Sequence, residues 1–282
     1  MTARTLLPFA AFLGLIVWAF APTFAWMAEK WATDPQYSHG FLVPCFSAFL
    51  LYRQRETPGP WRSASWPVAG SMVLAAALAM RVLAGGLLFY QLDALALLLT
   101  LAGAVLLVGG HRLFLRTGSA ILFLAFMVPL PFELERNVGG PLRNVATHAT
   151  TFLLQTLGLP AIREGNVILI DDVKLGVAEA CSGLKMLLTF AAFSIGAVLL
   201  ANRSLFEKFF MLLGIVPIAV VTNVLRIAAM GVAHTLTSDK DTTHTLHDVF
   251  GWLMMPVGLA LLGAELWFLN RLVVRPSPGV RS

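Results

Sequence analysis

The stretch "GVAEACSGLKMLLTF", residues 176–190, joins an acidic, alternating segment to a long apolar run. Cys181 stands where the apolar run begins. A helix N-terminus favours a thiolate through its exposed N–H groups and its dipole, and Lys185 adds a positive charge one turn on. Ser182 and Gly183 leave room for a substrate backbone. These features fit a reactive thiol and, equally, a membrane cysteine that only packs.

The other of the two cysteines, Cys45 in "HGFLVPCFSAF", lies in apolar surroundings. We interpret it as a packing residue, because a free cysteine behaves as a small hydrophobic side chain. A disulfide between Cys45 and Cys181, on the oxidising side of a membrane, is the minor alternative.

The composition excludes an ordinary soluble domain. Of the 282 residues, 58% are hydrophobic and 12% are charged, and the mean hydropathy is +0.79. Soluble domains carry about a quarter charged residues, so this chain is expected to be an integral membrane protein. The net charge of +5 is distributed over short loops between apolar segments. That pattern sets membrane orientation and does not indicate a nucleic-acid partner.

Apolar segments of spanning length predict an all-α polytopic membrane protein with about eight transmembrane helices. The first segment is too long for a signal-peptide core and is expected to remain as a span. No repeat or linker divides the chain, so residues 1–282 are expected to form one domain. The spans are expected at 6–28, 39–53, 66–84, 87–109, 113–131, 182–201, 208–234 and 248–270.

Residues 136–181 are expected to lie outside the membrane. Residues 136–159 mix apolar and polar side chains and predict an amphipathic surface helix. Alternating apolar residues around Asp171 and Asp172 predict a short β-hairpin with an acidic turn. A hairpin cannot lie in hydrocarbon, because its edges would leave backbone groups without hydrogen bonds. It is therefore expected on the surface, directly before Cys181.

The short loops predict the orientation. With eight spans, most Lys and Arg residues fall on the side of both termini, and most acidic residues fall on the other. Because basic loops stay in the cytoplasm, both termini are expected inside and Cys181 outside.

Arg226, in "VVTNVLRIAAM", is predicted to lie inside a span. An intramembrane guanidinium costs at least ~2.5 kcal/mol on insertion scales, so it must face a partner or a wet cavity. Asn223 shares its helical face, three residues earlier. A functional site is the favoured interpretation. A structural ion pair, for example with Glu265 or with an outer acidic residue, is the alternative.

The segment "HTLTSDKDTTHTLHDVFGW", residues 234–252, is expected to form an outer loop that leads into the last span. It supplies candidate general bases in His244 and His247, and histidine is the usual base near neutral pH. A thiol, a guanidinium and an imidazole would then meet at the outer ends of three spans, which is sufficient for acyl transfer. A zinc site is the competing interpretation, although its spacing fits no strong signature. Its ligands would be His234, His244, His247 and Asp248.

Three ordered motifs make the chain recognisable. They are "EACSGLKML" around Cys181, "NVLRIAAM" around Arg226, and "HDVFG", in which Gly251 follows His247 by four residues. With "YSHGFLVP" at 37–44 and "FMVPLP" at 126–131, the chain resembles the exosortase/archaeosortase family of polytopic membrane cysteine transpeptidases. The family pattern favours His247 over His244 as the base.

The resemblance implies an enzyme that sorts exported, membrane-anchored proteins in systems that accompany exopolysaccharide production. Their C-terminal signal has a Pro-Glu-Pro-type motif, a transmembrane helix and a basic tail. The enzyme would lie in the bacterial inner membrane with its site facing the periplasm, and would need no cofactor or metal. Whether water or an acceptor takes the acyl group stays open.

The implied roles are Cys181 as nucleophile, His247 as base, and Arg226 as the stabiliser of the oxyanion or of the thiolate. Four residues are expected to support them, with less specific roles: His39, Glu179, Gly183 and Asn223. A transporter or flippase for an anionic lipid or sugar, with Arg226 as the binding cation, is the alternative from another functional class. The lack of internal repeats weighs against it.

Overall fold

The computed structural model describes residues 11, 14–55, 65–171, 173–177, 183–201, 203–236 and 240–272. Within these ranges the structure describes the backbone but not the side chains at 35, 236, 240–244, 247, 248 and 272. The chain divides into two compact units, residues 1–131 and 132–282. The expected single domain of residues 1–282 stays a prediction.

The N-terminal unit is helical throughout its described part. Proline occupies the first turns of the first and third α-helices, where its missing N–H costs no hydrogen bond. The elements are α1 (Ala21–Thr33), a 3-10 helix (Pro35–Phe41), α2 (Leu42–Gln54), α3 (Pro67–Leu87), α4 (Tyr90–Phe123) and a second 3-10 helix (Leu124–Met127).

Helix α4 reverses direction at Gly110. This residue has φ 68° and ψ −172°, outside the helical region. Tyr90, at the start of α4, stacks on Trp26 with ring centroids 5.4 Å apart. Trp31 donates through Nε1 to the carbonyl oxygen of Met127, 2.8 Å away. Trp26 and Trp31 are only about 7.5 Å apart along α1, whereas a straight helix from Tyr90 to Met127, their two partners, would be about 55 Å long. The chain therefore folds back on itself.

The C-terminal unit begins with α5 (Phe132–Thr156) and continues into a three-stranded sheet of β1 (Ala161–Glu164), β2 (Val167–Ile170) and β3 (Val173–Gly176). Four more helices follow: α6 (Gly183–Leu200), α7 (Leu205–Leu213), α8 (Ile215–Leu236) and α9 (Lys240–Leu272). A capping box between Ser204 and Glu207 starts α7. Gly214 keeps right-handed helical angles between α7 and α8.

The sheet has one strand more than the sequence predicted. Its order is β1-β2-β3, all antiparallel. The expected hairpin is β2 and β3, joined through the acidic turn at Asp171, which has φ 50°. The missed strand, β1, pairs Glu164 with Val167 across a turn that contains Gly165 at φ 62°. A strand of four residues is too short for a clear alternating pattern, so only the Gly-Asn turn signalled it.

The sheet packs on the C-terminal half of α8. Ile168 and Ile170 are fully buried in one cluster with Ile227 and Met230 of α8. Burying such a side chain contributes about 1.5–3 kcal/mol. Gly231 allows the close approach, because a Cβ there would lie 3.2 Å from the side chain of Ile170. The expected surface helix is α5, whose buried face joins the same cluster.

Five helical segments in the described part of the chain are long and apolar enough to cross a membrane. Because Tyr90–Met127 contains the reversal at Gly110, it accommodates both predicted spans 87–109 and 113–131. Predicted span 39–53 coincides with a 3-10 helix and the 13-residue α2, and span 6–28 lies partly outside the described residues. The predicted total of eight is not confirmed. The five segments are Pro67–Leu87, Tyr90–Met127, Gly183–Leu200, Leu205–Thr235 and Val249–Arg271.

Candidate functional site

Helix α8 carries the polar side chains of the site inside the C-terminal unit. Arg226 is only 6% exposed and Asn223 only 1%. They lie three residues apart, on adjacent turns of one helical face. Every other residue from 215 to 236 except Thr222, His234 and Thr235 is apolar or glycine. The polar face is therefore local, and it lies in the stretch that packs against α5, α6, α9 and β3.

The guanidinium of Arg226 lies against the backbone of α9. A Cβ built on Gly251 would lie 3.2 Å from Nη2 and 3.7 Å from Cζ of Arg226. Only glycine leaves this space open. His247 precedes Gly251 by one helical turn, and residues four apart share a helix face. The side chain of His247 lies outside the described part of the structure, so its role as the base stays a prediction.

The segment with the histidines is helical where the sequence predicted a loop. Helix α9 begins at Lys240, so the backbone of His244 and of His247 belongs to its first turns. The sequence predicted a loop before a span at 248–270, and this prediction was wrong for residues 240–247, which are helical. Its Asp, Thr and His residues have modest helix propensity, and their polar character concealed the helix.

The beginning of α6 lies against Asn223. A Cβ on Gly183 would lie 3.3 Å from Nδ2 of Asn223 and 3.6 Å from Cβ of Leu142. Cys181 precedes Gly183 by two residues. Both Cys181 and Glu179 fall outside the described residues, so their proposed roles are not tested by the geometry.

The two glycine contacts bring three separate parts of the chain together. Gly183 of α6 meets Asn223, and Gly251 of α9 meets Arg226, one turn farther along α8. The segments that carry the cysteine motif and the histidine motif therefore flank the same two turns of α8. Gly183 and Asn223 were predicted from the sequence to be supporting residues, but a contact between them was not predicted.

Both polar atoms of the Asn223 side chain are buried, and neither Oδ1 nor Nδ2 has a hydrogen-bond partner among the described residues. Leaving a buried polar group without a partner costs about 1–3 kcal/mol. Such groups are uncommon in native structures and call for an explanation.

The alternative ion pair between Arg226 and Glu265 is wrong. The carboxylate of Glu265 lies at Gly214, in the space where a Cβ would be. Gly214 precedes Arg226 by twelve residues, about 18 Å along a continuous helical path. Glu265 follows Gly251 by fourteen residues along α9, about 21 Å. The two groups therefore lie far apart along the α8–α9 pair, while an ion pair of Arg226 with an outer acidic residue stays untested.

The remaining candidates stay untested. His39 lies in the N-terminal unit, on the 3-10 helix Pro35–Phe41, with its ring centroid 6.5 Å from that of Tyr37. Cys45 is an exposed free thiol, which removes support from the disulfide alternative. No group of three metal-binding side chains occurs among the described residues. That set does not include His244, His247 or Asp248.

A family model described as transmembrane exosortase matches residues 31–264. The match covers most of the chain, including all three sequence motifs. The chain belongs to the transmembrane exosortase family. No curated protein and no solved structure matches it. Membership confirms the resemblance seen in the sequence and indicates a membrane protease or transpeptidase that acts on membrane-protein substrates.

Proposed function

We propose that this exosortase-family protein cleaves exported, membrane-anchored proteins at a C-terminal sorting signal through a thioester on Cys181. The signal comprises a Pro-Glu-Pro-type motif, a transmembrane helix and a basic tail. The observation that carries the proposal is the contact of α8 with α6 and α9. Arg226 meets Gly251, one turn after His247, and Asn223 meets Gly183, two residues after Cys181.

The first step is attack on the scissile carbonyl. The thiol proton of Cys181 passes to His247, and the sulfur forms a C–S bond to the carbonyl carbon. The π electrons of the carbonyl move onto oxygen. The guanidinium of Arg226 stabilises this oxyanion, and its burial strengthens the interaction because little water screens it.

The second step releases the C-terminal part of the signal. The oxyanion collapses, the C–N bond breaks, and His247 gives its proton to the departing amine. The remaining acyl group is a thioester on Cys181. Water or the amine of an acceptor then adds to that thioester and loses a proton to His247. Collapse expels the Cys181 sulfur, which takes the proton back, so the enzyme returns to its starting state.

We place this chemistry on the periplasmic face of a bacterial inner membrane, with both termini in the cytoplasm. The charge distribution supports this orientation, because Arg203 and Lys208 flank the start of α7 and Arg271 lies at the end of α9. In a cysteine-free background, Thr245→Cys should react with an impermeant maleimide from the periplasm. Leu205→Cys should react only after the cytoplasm is opened. The reverse pattern would contradict the orientation.

The decisive experiment co-expresses the protein with an epitope-tagged substrate that carries the tripartite signal. Shortening of the substrate should occur with the natural protein and disappear with Cys181→Ala. Cys45→Ala is the matched control, because Cys45 is a free, exposed thiol in the other unit. Processing that survives Cys181→Ala would reject the nucleophile and favour transport through a site around Arg226.

A further inference from the structure

The side-chain amide of Asn223 is buried, and no described hydrogen bond accounts for it. It is 1% exposed, and neither polar atom of its side chain has a partner in the described part of the chain. Two residues of the same face are explained otherwise: Ile227 packs in the sheet cluster, and Arg226 lies against Gly251. An amide held in this state stabilises nothing in the resting protein, because its desolvation is not offset by hydrogen bonds.

The amide is directed at the beginning of α6. Its Nδ2 is the atom nearest to the space that the missing side chain of Gly183 leaves open. A buried donor therefore lies beside Gly183, two residues after the proposed nucleophile, Cys181. An amide N–H can donate a hydrogen bond to an oxygen that gains negative charge in the reaction.

We propose that Asn223 is a catalytic residue that binds the peptide backbone at the cleavage site. Its Nδ2–H donates to the scissile carbonyl oxygen, and its Oδ1 accepts an N–H of the substrate backbone. This inference rests on the proposed function, which assigns the nucleophile to Cys181. A primary amide suits this task, because it offers both donors and an acceptor, as every peptide unit does.

A role in substrate binding accounts for a buried amide that has no partner in the described part of the free protein. The desolvation of Asn223 is already present before the substrate arrives, so hydrogen bonds to the peptide relieve it. A donor fixed in advance needs no reorganisation when the carbonyl oxygen becomes an oxyanion. Arg226, one turn farther along α8, then supplies charge, while Asn223 supplies a directed neutral hydrogen bond.

The test is Asn223→Leu, which keeps the size of the side chain and removes both polar atoms. Processing of the tagged substrate should fall about 100- to 1000-fold, the usual effect of losing one oxyanion donor. The thermal midpoint in detergent should not fall, since a buried group without partners is removed. The rate and pH profile of Cys181 alkylation by iodoacetamide should be unchanged. Thr222→Val is the matched control, because Thr222 is also fully buried with a hydroxyl that lacks a described partner.

A second measurement does not depend on turnover. A peptide aldehyde with the sorting-motif sequence adds the Cys181 thiol across its carbonyl, and the hemithioacetal oxygen then occupies the oxyanion position. Asn223→Leu should weaken the protection of Cys181 by this probe about 100-fold, and Thr222→Val should leave it unchanged.

Several results would overturn the proposal. Normal processing or normal protection by the aldehyde in Asn223→Leu would remove the role. A lowered thermal midpoint would assign Asn223 to structure, and an altered alkylation profile would assign it to the thiol. Processing that persists in Cys181→Ala would instead reject the proposed function. In that case we would expect Asn223→Leu to leave the protection of Cys181 by the aldehyde unchanged.

Discussion

Arg81 and Arg226 are both arginines inside apolar helices, but their surroundings differ. Arg81 of α3 stacks its guanidinium over the ring of Phe20 at 4.0 Å. It also donates to the carbonyl oxygen of Ala19 and lies 3.9 Å from a carboxylate oxygen of Asp93. Its side chain is 31% exposed. These contacts join the residues just before α1 to α3 and α4, so Arg81 is explained by the packing of its own unit.

Arg226 is enclosed more completely than Arg81. It is 6% exposed and lies against a glycine of α9, with the buried amide of Asn223 one turn away. The comparison shows that an intramembrane charge does not by itself identify a site. What distinguishes the functional candidate is the space that Gly251 leaves open beside the charge, together with the buried amide of Asn223, which has no partner among the described residues.

The largest expected effect separates the two arginines directly. Arg226→Gln removes the charge and most directed donors, so processing should fall about 100- to 1000-fold, or roughly 3–4 kcal/mol in transition-state stabilisation. Arg81→Gln should keep processing within about threefold and lower the thermal midpoint, since the variant loses contacts with Phe20, Ala19 and Asp93 that lie within its own unit. Substrate processing and thermal unfolding of the purified variants provide the measurements.

Equal losses of processing at the two positions, in proteins that remain folded, would contradict this division. It would mean that Arg81 also serves the reaction. Retained processing in Arg226→Gln would remove Arg226 from the proposed mechanism.

A smaller loss is expected when the charge is kept. Arg226→Lys replaces a planar fork of donors with a compact ammonium on a shorter reach. If the guanidinium donates directed hydrogen bonds to the oxyanion, processing should fall about 100-fold while the pH profile of Cys181 alkylation stays unchanged. Arg81→Lys, the matched change in the other unit, should be close to neutral. A shift of alkylation to higher pH in Arg226→Lys would instead favour stabilisation of the thiolate.

A still smaller loss of processing is expected when the space at Gly251, beside Arg226, is filled. In Gly251→Ala the new methyl group would lie 3.2 Å from Nη2 of Arg226, so the guanidinium must move by a few tenths of an ångström. Since a 1 Å misplacement can cost about 100-fold, roughly a tenfold loss of processing is expected. Gly263→Ala is the control on the same helix, because nothing lies within 4 Å of its added Cβ.

Both glycine variants should gain up to about 1 kcal/mol of helix stability. A difference in processing between them therefore reports the contact with Arg226. Equal processing would show that the guanidinium has room to adjust.

The sequence predicted the helices of the C-terminal unit well, because their hydrophobic runs are long and interrupted by few charges. Spans 182–201, 208–234 and 248–270 coincide closely with spanning segments of the structure. The order of the three motifs along the chain sufficed to recognise the family. Their placement on neighbouring helices followed from the assumption that three spans end at the same membrane face.

What the sequence could not predict depends on contacts between distant residues. In an apolar run, Arg81 and Arg226 carry the same free-energy cost of membrane insertion. Only the fold shows that Asp93 and Phe20 surround Arg81. The unused amide of Asn223 is likewise invisible without its neighbours, because asparagine in a helix ordinarily finds a partner. Strand β1 was not predicted for a local reason, because four residues are too few to show an alternating pattern.

The smallest expected effect concerns the pairing of Arg81 with Asp93, whose side chains are 31% and 17% exposed. If this pair only joins α3 to α4, Asp93→Asn and Arg81→Gln should each destabilise the protein modestly, and the double variant should be little worse than either single one. The coupling should be about 1 kcal/mol, because the two charged atoms are 3.9 Å apart, which is a long separation for an ion pair. Processing by the folded fraction should stay at the natural level in all three variants, since the pair holds helices and binds no substrate. Thermal unfolding of the four proteins gives the coupling, and processing normalised to folded protein gives the function. Additive destabilisation would show that the two groups do not interact in the folded state, and a loss of normalised processing in Asp93→Asn would end the distinction between the two arginines.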